Sequence, residues 1–152
     1  MSKERFKMHA TVALLIIKDN KVLLMKRCNT GYMDGYYGMV SGHLEQNESL
    51  KQAIIRETLE EIGVNVNEED INIICMIRRG DNDNYFNYFL AANKFEGEPS
   101  IMEPDKCEEL IWADLNDLPE NTIEAEKRAI YNYLNGISFD EYDFSFQKSL
   151  KL

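Results

Sequence analysis

The sequence predicts a mixed α/β domain, and three observations carry that prediction. Ala10 to Ile17 is a nearly continuous apolar run rich in Val, Leu and Ile, the pattern of a buried strand. From about Glu48 to Ile62 the chain reads as a helix: Ser49 or Asn47 is placed to cap its start, and Gly63 supplies the left-handed stop. Further strand-like runs follow that helix and precede a second one, so strands lie on both sides of helices.

In chain order, Asp19-Asn20 is a turn from which Lys21 to Arg27 returns as a second strand, a hairpin. Cys28 to Tyr37 is a connecting loop whose Tyr32, Tyr36 and Tyr37 are candidates to line a pocket. Gly38 to Gly42, GMVSG, leads into the first helix. After the helix, Asn65 to Asp70 is polar, Ile71 to Arg79 and Tyr85 to Phe95 read as strands, and Gly80 to Asn84 is a turn-rich loop between them. Ser100 to Glu109 has no clear period and carries Pro104, so it reads as loop; Leu110 to Asp114 is a short strand. Thr122 to Leu134 is a second helix, with Thr122 or Asn121 as cap and Gly136 as stop. In the tail from Ile137, Tyr142, Phe144 and Phe146 alternate with polar residues, as in a strand with one apolar face. It either packs on its own domain or is exchanged in a homodimer.

Composition narrows the function. A chain of 152 residues with 44% hydrophobic residues is expected to form one domain, residues 1–152, with its core at about 8–134 and a tail at 137–152. Such a chain buries about 68–70% of its unfolded surface. The net charge of −10, from 27 acidic and 17 basic residues, argues against binding nucleic acid or an anionic membrane. No run of 18 apolar residues is present, and Cys28, Cys75 and Cys107 form no CxxC pair. These features predict reduced thiols in a soluble cytoplasmic protein, monomer or homodimer.

The chemistry concentrates in GHLEQNESLKQAIIRETLEEIGV, Gly42 to Val64. Glu57, Glu60 and Glu61 stand at spacings of three and four, which places three carboxylates within an arc of about 100° on one helix face. Such like-charge pairs cost roughly 0.2–0.5 kcal/mol each, and a hard divalent cation with oxygen ligands offsets that repulsion. A solvated acidic helix face is the plainer alternative. The spacing decides between them. Gly42, Glu48, Arg56, Glu57, Glu60, Glu61 and Gly63 fall where the signature of the Nudix hydrolases has its fixed residues, and the segment resembles that family. Two departures stand out: Thr58 replaces an aliphatic residue, and Val40 occupies a position where many relatives carry proline.

The resemblance, which spans about Met8 to Leu134, implies the α/β/α sandwich with a mixed β-sheet of this family. It also implies hydrolysis of a nucleoside diphosphate linked to another group, by water attack on the pyrophosphate bridge. Mg²⁺ is the implied cofactor, with Mn²⁺ as substitute, held by Glu57, Glu60, Glu61 and the carbonyl of Gly42. Arg56 would hold a glutamate in place, with Glu48 in an orienting or capping role, and the catalytic set would be Glu57, Arg56 and Glu103. Glu103 follows a loop similar to that of MutT-type members, where it reaches the metal site as ligand or base; a surface carboxylate is the plain alternative. Arg27 resembles an arginine that grips substrate, with Lys26, Arg78, Arg79 and His43 as further candidates. Asn121 or Asp117, near Leu118-Pro119, would read the base, unless Asn121 merely caps the helix. A (deoxy)nucleoside triphosphate, converted to monophosphate and pyrophosphate, is the favoured small-molecule substrate. ADP-ribose, a nucleotide sugar or a dinucleotide is the alternative, and a silent nucleotide-binding regulator the third.

Overall fold

The structure is a computed structural model, and it describes residues 2–80 and 84–144. Strand β1, His9–Lys18, and strand β2, Lys21–Arg27, form the expected hairpin. Asp19 and Asn20 take φ of 51° and 60°, the left-handed pair that a two-residue turn requires and that Asp and Asn tolerate best. The strands pair only at the turn, through Ile17 with Val22 and Lys18 with Lys21. Beyond it β2 runs to the short β3, Tyr37–Gly38, and to β7, Cys107–Asp114, both antiparallel.

Meanwhile β1 is flanked by antiparallel β4, Val40–His43, and parallel β6, Tyr85–Ala92. Strand β5, Asn72–Arg79, lies antiparallel to β6, and β8, Phe139–Tyr142, adds parallel to β5. The sheet is therefore mixed. Two helices cover it, α1 at Leu50–Ile62 and α2 at Glu124–Asn135.

The alternation of β1 shows why its run is apolar throughout. Val12, Leu14 and Ile16 pack into one cluster with Ala53, Ile54 and Ile62 of α1, whereas Ala13 and Leu15 join Ala125, Ala129 and Ile130 of α2. Successive side chains point to opposite faces, so a strand between two helices is apolar on both. This is the layered α/β/α sandwich.

Several boundaries differ from the expectation. Helix α1 starts at Leu50 rather than Glu48, because Ser49 caps it in a full capping box with Gln52. Its stop is Gly63 at φ 69°. GMVSG carries the end of β3 and most of β4, and β7 starts at Cys107, not Leu110, since Arg27 draws Cys107 into register across a bulge. Strand β6 ends at Ala92, short of Phe95. Helix α2 has Ile123 as N-cap with no side-chain cap: Thr122 Oγ1 donates instead to Pro119 O (2.7 Å) and Asn121 Nδ2 to Gly35 O (2.8 Å). The described part of the tail packs on its own chain as β8, while Phe146 lies outside the described residues. Cys28, Cys75 and Cys107 are free thiols, and no described helix is long and apolar enough to cross a membrane.

Candidate active site

Strand β4 and the C-terminal half of α1 meet through Gly42. An added Cβ there would collide with the Glu57 carboxylate, so glycine is needed for close approach rather than for an unusual φ. Arg56 organises the acidic cluster. Its Nη2 and Nε donate to the two carboxylate oxygens of Glu48 (2.7 and 3.1 Å), and its Nη1 donates to Glu57 Oε1 (2.8 Å). Glu60 lies 3.5 Å from the same guanidinium. Glu48 also accepts from the backbone N–H of Glu45 (2.8 Å). It is thus an orienting anchor just before the helix, and Arg56 beside it holds its carboxyl below the ordinary range.

Glu61 faces inward. Burial pushes its carboxyl up to about 8, with the charges of Glu57 and Glu103 adding to the shift and a hydrogen bond from Ser41 N–H opposing it. Burial likewise raises Glu57 against the pull of Arg56. Glu103 arrives by a backbone route: Ser100 N–H donates to Ile62 O (3.0 Å) and Met102 N–H to Glu61 O (3.2 Å). These bonds satisfy carbonyls that the end of a helix leaves open, and so the loop delivers Glu103 beside Glu61. Lys106 Nζ is 3.3 Å from Glu103.

One cavity of about 580 Å³ collects Glu57, Glu60, Glu61, Glu103, Gly42, Arg27, Lys26 and His43. Tyr32 and Arg79 line it too, whereas Arg78 does not and instead lies over the Phe6 and Phe144 rings. Arg27 is braced by the loop after β2, donating to Tyr32 O (2.8 Å) and Thr30 Oγ1 (3.2 Å). Of the three loop tyrosines only Tyr32 reaches the cavity; Tyr37 is a core residue. Asn121 and Asp117 are not in the lining. Asn121 is spent on the Gly35 carbonyl, clamping the loop, because α2 starts two residues after Thr122 and carries Asn121 past the opening.

The residue that sequence reasoning missed is Glu126. It is 8% exposed and lines the cavity from α2. Burial pushes its carboxyl up to about 7, opposed by the nearby charges of Arg27 and Arg79. Its signal was present: Glu126 precedes Ala129 and Ile130 by three and four residues, on the apolar stripe of α2.

Thr58, at a position where the signature has an aliphatic residue, is fully buried and donates Oγ1 to Ile54 O (2.6 Å), which satisfies its hydroxyl without leaving the helix. A NUDIX domain model matches residues 7–134. The chain belongs to the Nudix hydrolase family. An ADP-ribose pyrophosphatase of Methanocaldococcus jannaschii is 28% identical over 130 residues, 84% of this Nudix hydrolase and 75% of that protein. An 8-oxo-dGTP diphosphatase of Proteus vulgaris is 34% identical over 65 residues, 43% of this chain and 58% of that one. The crystal structure of a MutT NUDIX hydrolase from Burkholderia pseudomallei superposes with a TM-score of 0.76 at 26% identity, covering 83% of this chain and 98% of that one.

Nudix hydrolases generally use a divalent metal. Among the described residues no three acidic, cysteine or histidine side chains are already gathered around one point that an ion could take, and Glu57 accepts a hydrogen bond from Arg56. The donor set nevertheless fits in kind. Glu57, Glu60 and Glu61 offer hard oxygen donors in the C-terminal half of α1, its negative end, where the last turn carries no basic residue and the helix dipole favours a cation.

Proposed function

We propose that this Nudix hydrolase is a Mg²⁺-dependent pyrophosphohydrolase that converts a (deoxy)nucleoside triphosphate to its monophosphate and pyrophosphate. The observation that supports this most directly is one cavity with different chemistry on its two walls. The α1 wall holds the carboxylates; the α2 wall presents Ile123, Ala125 and the buried Glu126. The first suits a charged phosphate chain, and the second suits a flat, mostly apolar base with one polar edge.

Glu57, Glu60, Glu61, Glu103 and the Gly42 carbonyl would hold the metal. A bound Mg²⁺, with Mn²⁺ as substitute, supplies charge neutralisation and Lewis acidity for the phosphoryl oxygens. The remaining roles belong to the chain. Arg56 fixes Glu57 and is itself fixed by Glu48, so the acidic cluster is oriented before substrate arrives. Arg27 grips phosphate oxygens from a guanidinium already held by Tyr32 and Thr30. Glu57 or Glu103 accepts the proton of the attacking water, since both are acidic groups facing the cavity. Glu126, poised near neutrality, accepts from the amino or imino edge of the base when ionised and also donates when protonated. A single 1–152 domain, monomer or homodimer in a reducing cytoplasm, is the setting of this reading.

The relative from M. jannaschii favours a second reading, in which ADP-ribose, a nucleotide sugar or a dinucleotide is the substrate. Mg²⁺-dependent product release across dGTP, dCTP, 8-oxo-dGTP, ADP-ribose and NAD decides between the two. Higher kcat/KM on a triphosphate supports the first, higher values on ADP-ribose or NAD the second, and no turnover on any would replace both with a nucleotide-binding regulator. Glu126→Gln should change the ranking among bases while leaving the metal requirement intact.

A further inference from the structure

The structure assigns Asn87, on strand β6, as the hydrogen-bond donor that reads an acceptor atom of the substrate's base, with Thr11 as the residue that holds it. The inference rests on the cavity assigned above as the substrate site, but not on which group leaves the nucleotide. Strand β6 opens with YFNYF, Tyr85 to Phe89. Side chains alternate along a strand, so Tyr85, Asn87 and Phe89 share one face, and all three line the cavity. Asparagine is depleted in strands, and its buried amide costs free energy unless it is bonded. The register shows what meets it. Asn87 pairs with Thr11 of β1, and Thr11 with His43 of β4; two residues along, Phe89 pairs with Ala13, and Ala13 with Ser41. These two rows are the floor of the cavity.

Thr11 Oγ1 donates to Asn87 Oδ1. An amide carries one acceptor oxygen and two N–H donors, so this bond holds the oxygen and directs Nδ2 away from Thr11. Nδ2 is not sealed inside the protein, and it finds no acceptor among the described residues. Asn87 is nevertheless only 9% exposed, and a buried donor left without a partner calls for an explanation. Among the described residues, the buried polar side chains that line the cavity are Asn87 and Glu126. An ionised carboxylate only accepts, which leaves Asn87 as the buried donor. The rest of the buried lining, Ala13, Met39, Phe89 and Ala125 among it, is apolar. A slot of that kind, with one buried donor and one buried acceptor, suits a flat base better than a sugar, whose several hydroxyls each need a polar partner. The amide also discriminates, because a base with no acceptor in reach leaves it unpaired.

The test measures, by calorimetry on the full-length protein with Mg²⁺, the dissociation constants of dGMP, dAMP, dCMP and dTMP. Asn87→Leu keeps the volume and removes the amide. The base that wild type binds best should weaken about fivefold, the effect of one lost neutral hydrogen bond, and bases out of reach of the amide by less than about twofold. The spread among the four therefore narrows. Thr11→Val should weaken the same base, and added to Asn87→Leu it should change nothing further, because it acts through that residue. The double variant replaces both partners by apolar groups of similar shape, a nearly neutral exchange for stability, so its thermal midpoint should match wild type. An unchanged spread in Asn87→Leu, or a further loss in the double variant, would overturn the inference. Equal weakening of all four would also overturn it, by moving the contact to the sugar or to general loosening, as would a wild type that binds none of them. A nucleoside monophosphate is the product under the triphosphate and the ADP-ribose readings alike, so a turnover preference for ADP-ribose would overturn only the triphosphate reading.

Discussion

Replacing Gly42 by Ala tests the acidic site at its tightest point. Gly42 sits in β4 opposite Val12, without a left-handed φ, so alanine suits the backbone and keeps the carbonyl. What it meets is the Glu57 carboxylate, the end of a flexible side chain that must swing away. Glu57 then loses its 2.8 Å contact with Arg56, a charge-assisted bond that contributes about 1.5–3 kcal/mol. Arg56 keeps Glu48, and alanine offsets about 0.5–1 kcal/mol through the unfolded chain. The net cost is therefore about 1–2 kcal/mol, a fall in thermal midpoint of roughly 2–8 °C for a chain of this size. The catalytic cost is larger, because displacement by about 1 Å costs on the order of 10²-fold in rate, and the metal concentration for half activity should rise. Metal-free melting and Mg²⁺-titrated turnover measure the two separately. Full turnover with an unshifted metal midpoint would refute the placement of Glu57 as a site residue.

Glu61→Gln should cut turnover by at least about 10²-fold. Because the folded Glu61 carboxyl is raised from 4.5 to about 8, the wild type binds the proton more tightly folded than unfolded, and its metal-free stability falls as pH rises through that window. The variant should therefore melt higher than wild type above pH 8 and alike below about pH 4.5; the reverse order would contradict the burial of this carboxylate. Glu103→Gln separates two roles by kinetics: lost rate with an unchanged metal midpoint marks a base, and a raised metal midpoint marks a ligand. Ser49→Ala breaks the capping box and should cost about 1 kcal/mol without altering KM; an equally stable variant would show that α1 is held by packing alone.

Much of this molecule is written in local signals. Asp19-Asn20 specifies a tight hairpin, Ser49 with Gln52 and Gly63 bound α1, and seven fixed residues from Gly42 to Gly63 carry the family and its acidic face. These depend on contacts within a turn or two of helix, which spacing along the chain reports directly.

Tertiary structure decided the rest. Glu103 reaches the site because loop N–H groups answer the open carbonyls of α1, a pairing that loop sequence does not announce. Asn121 and Glu126 stand five positions apart, yet the first clamps Gly35 and the second enters the cavity. Glu126 shares the apolar stripe of α2 with Ala129 and Ile130, but glutamate is almost never buried without a partner, so spacing alone did not select it; the docking of α2 through Ala129 and Ile130 turns it inward. Strand β8 docks on β5 through its register with Met76–Arg79. A four-residue strand has too little pattern of its own to declare a partner, and the edge of β5 supplies the hydrogen bonds that fix it.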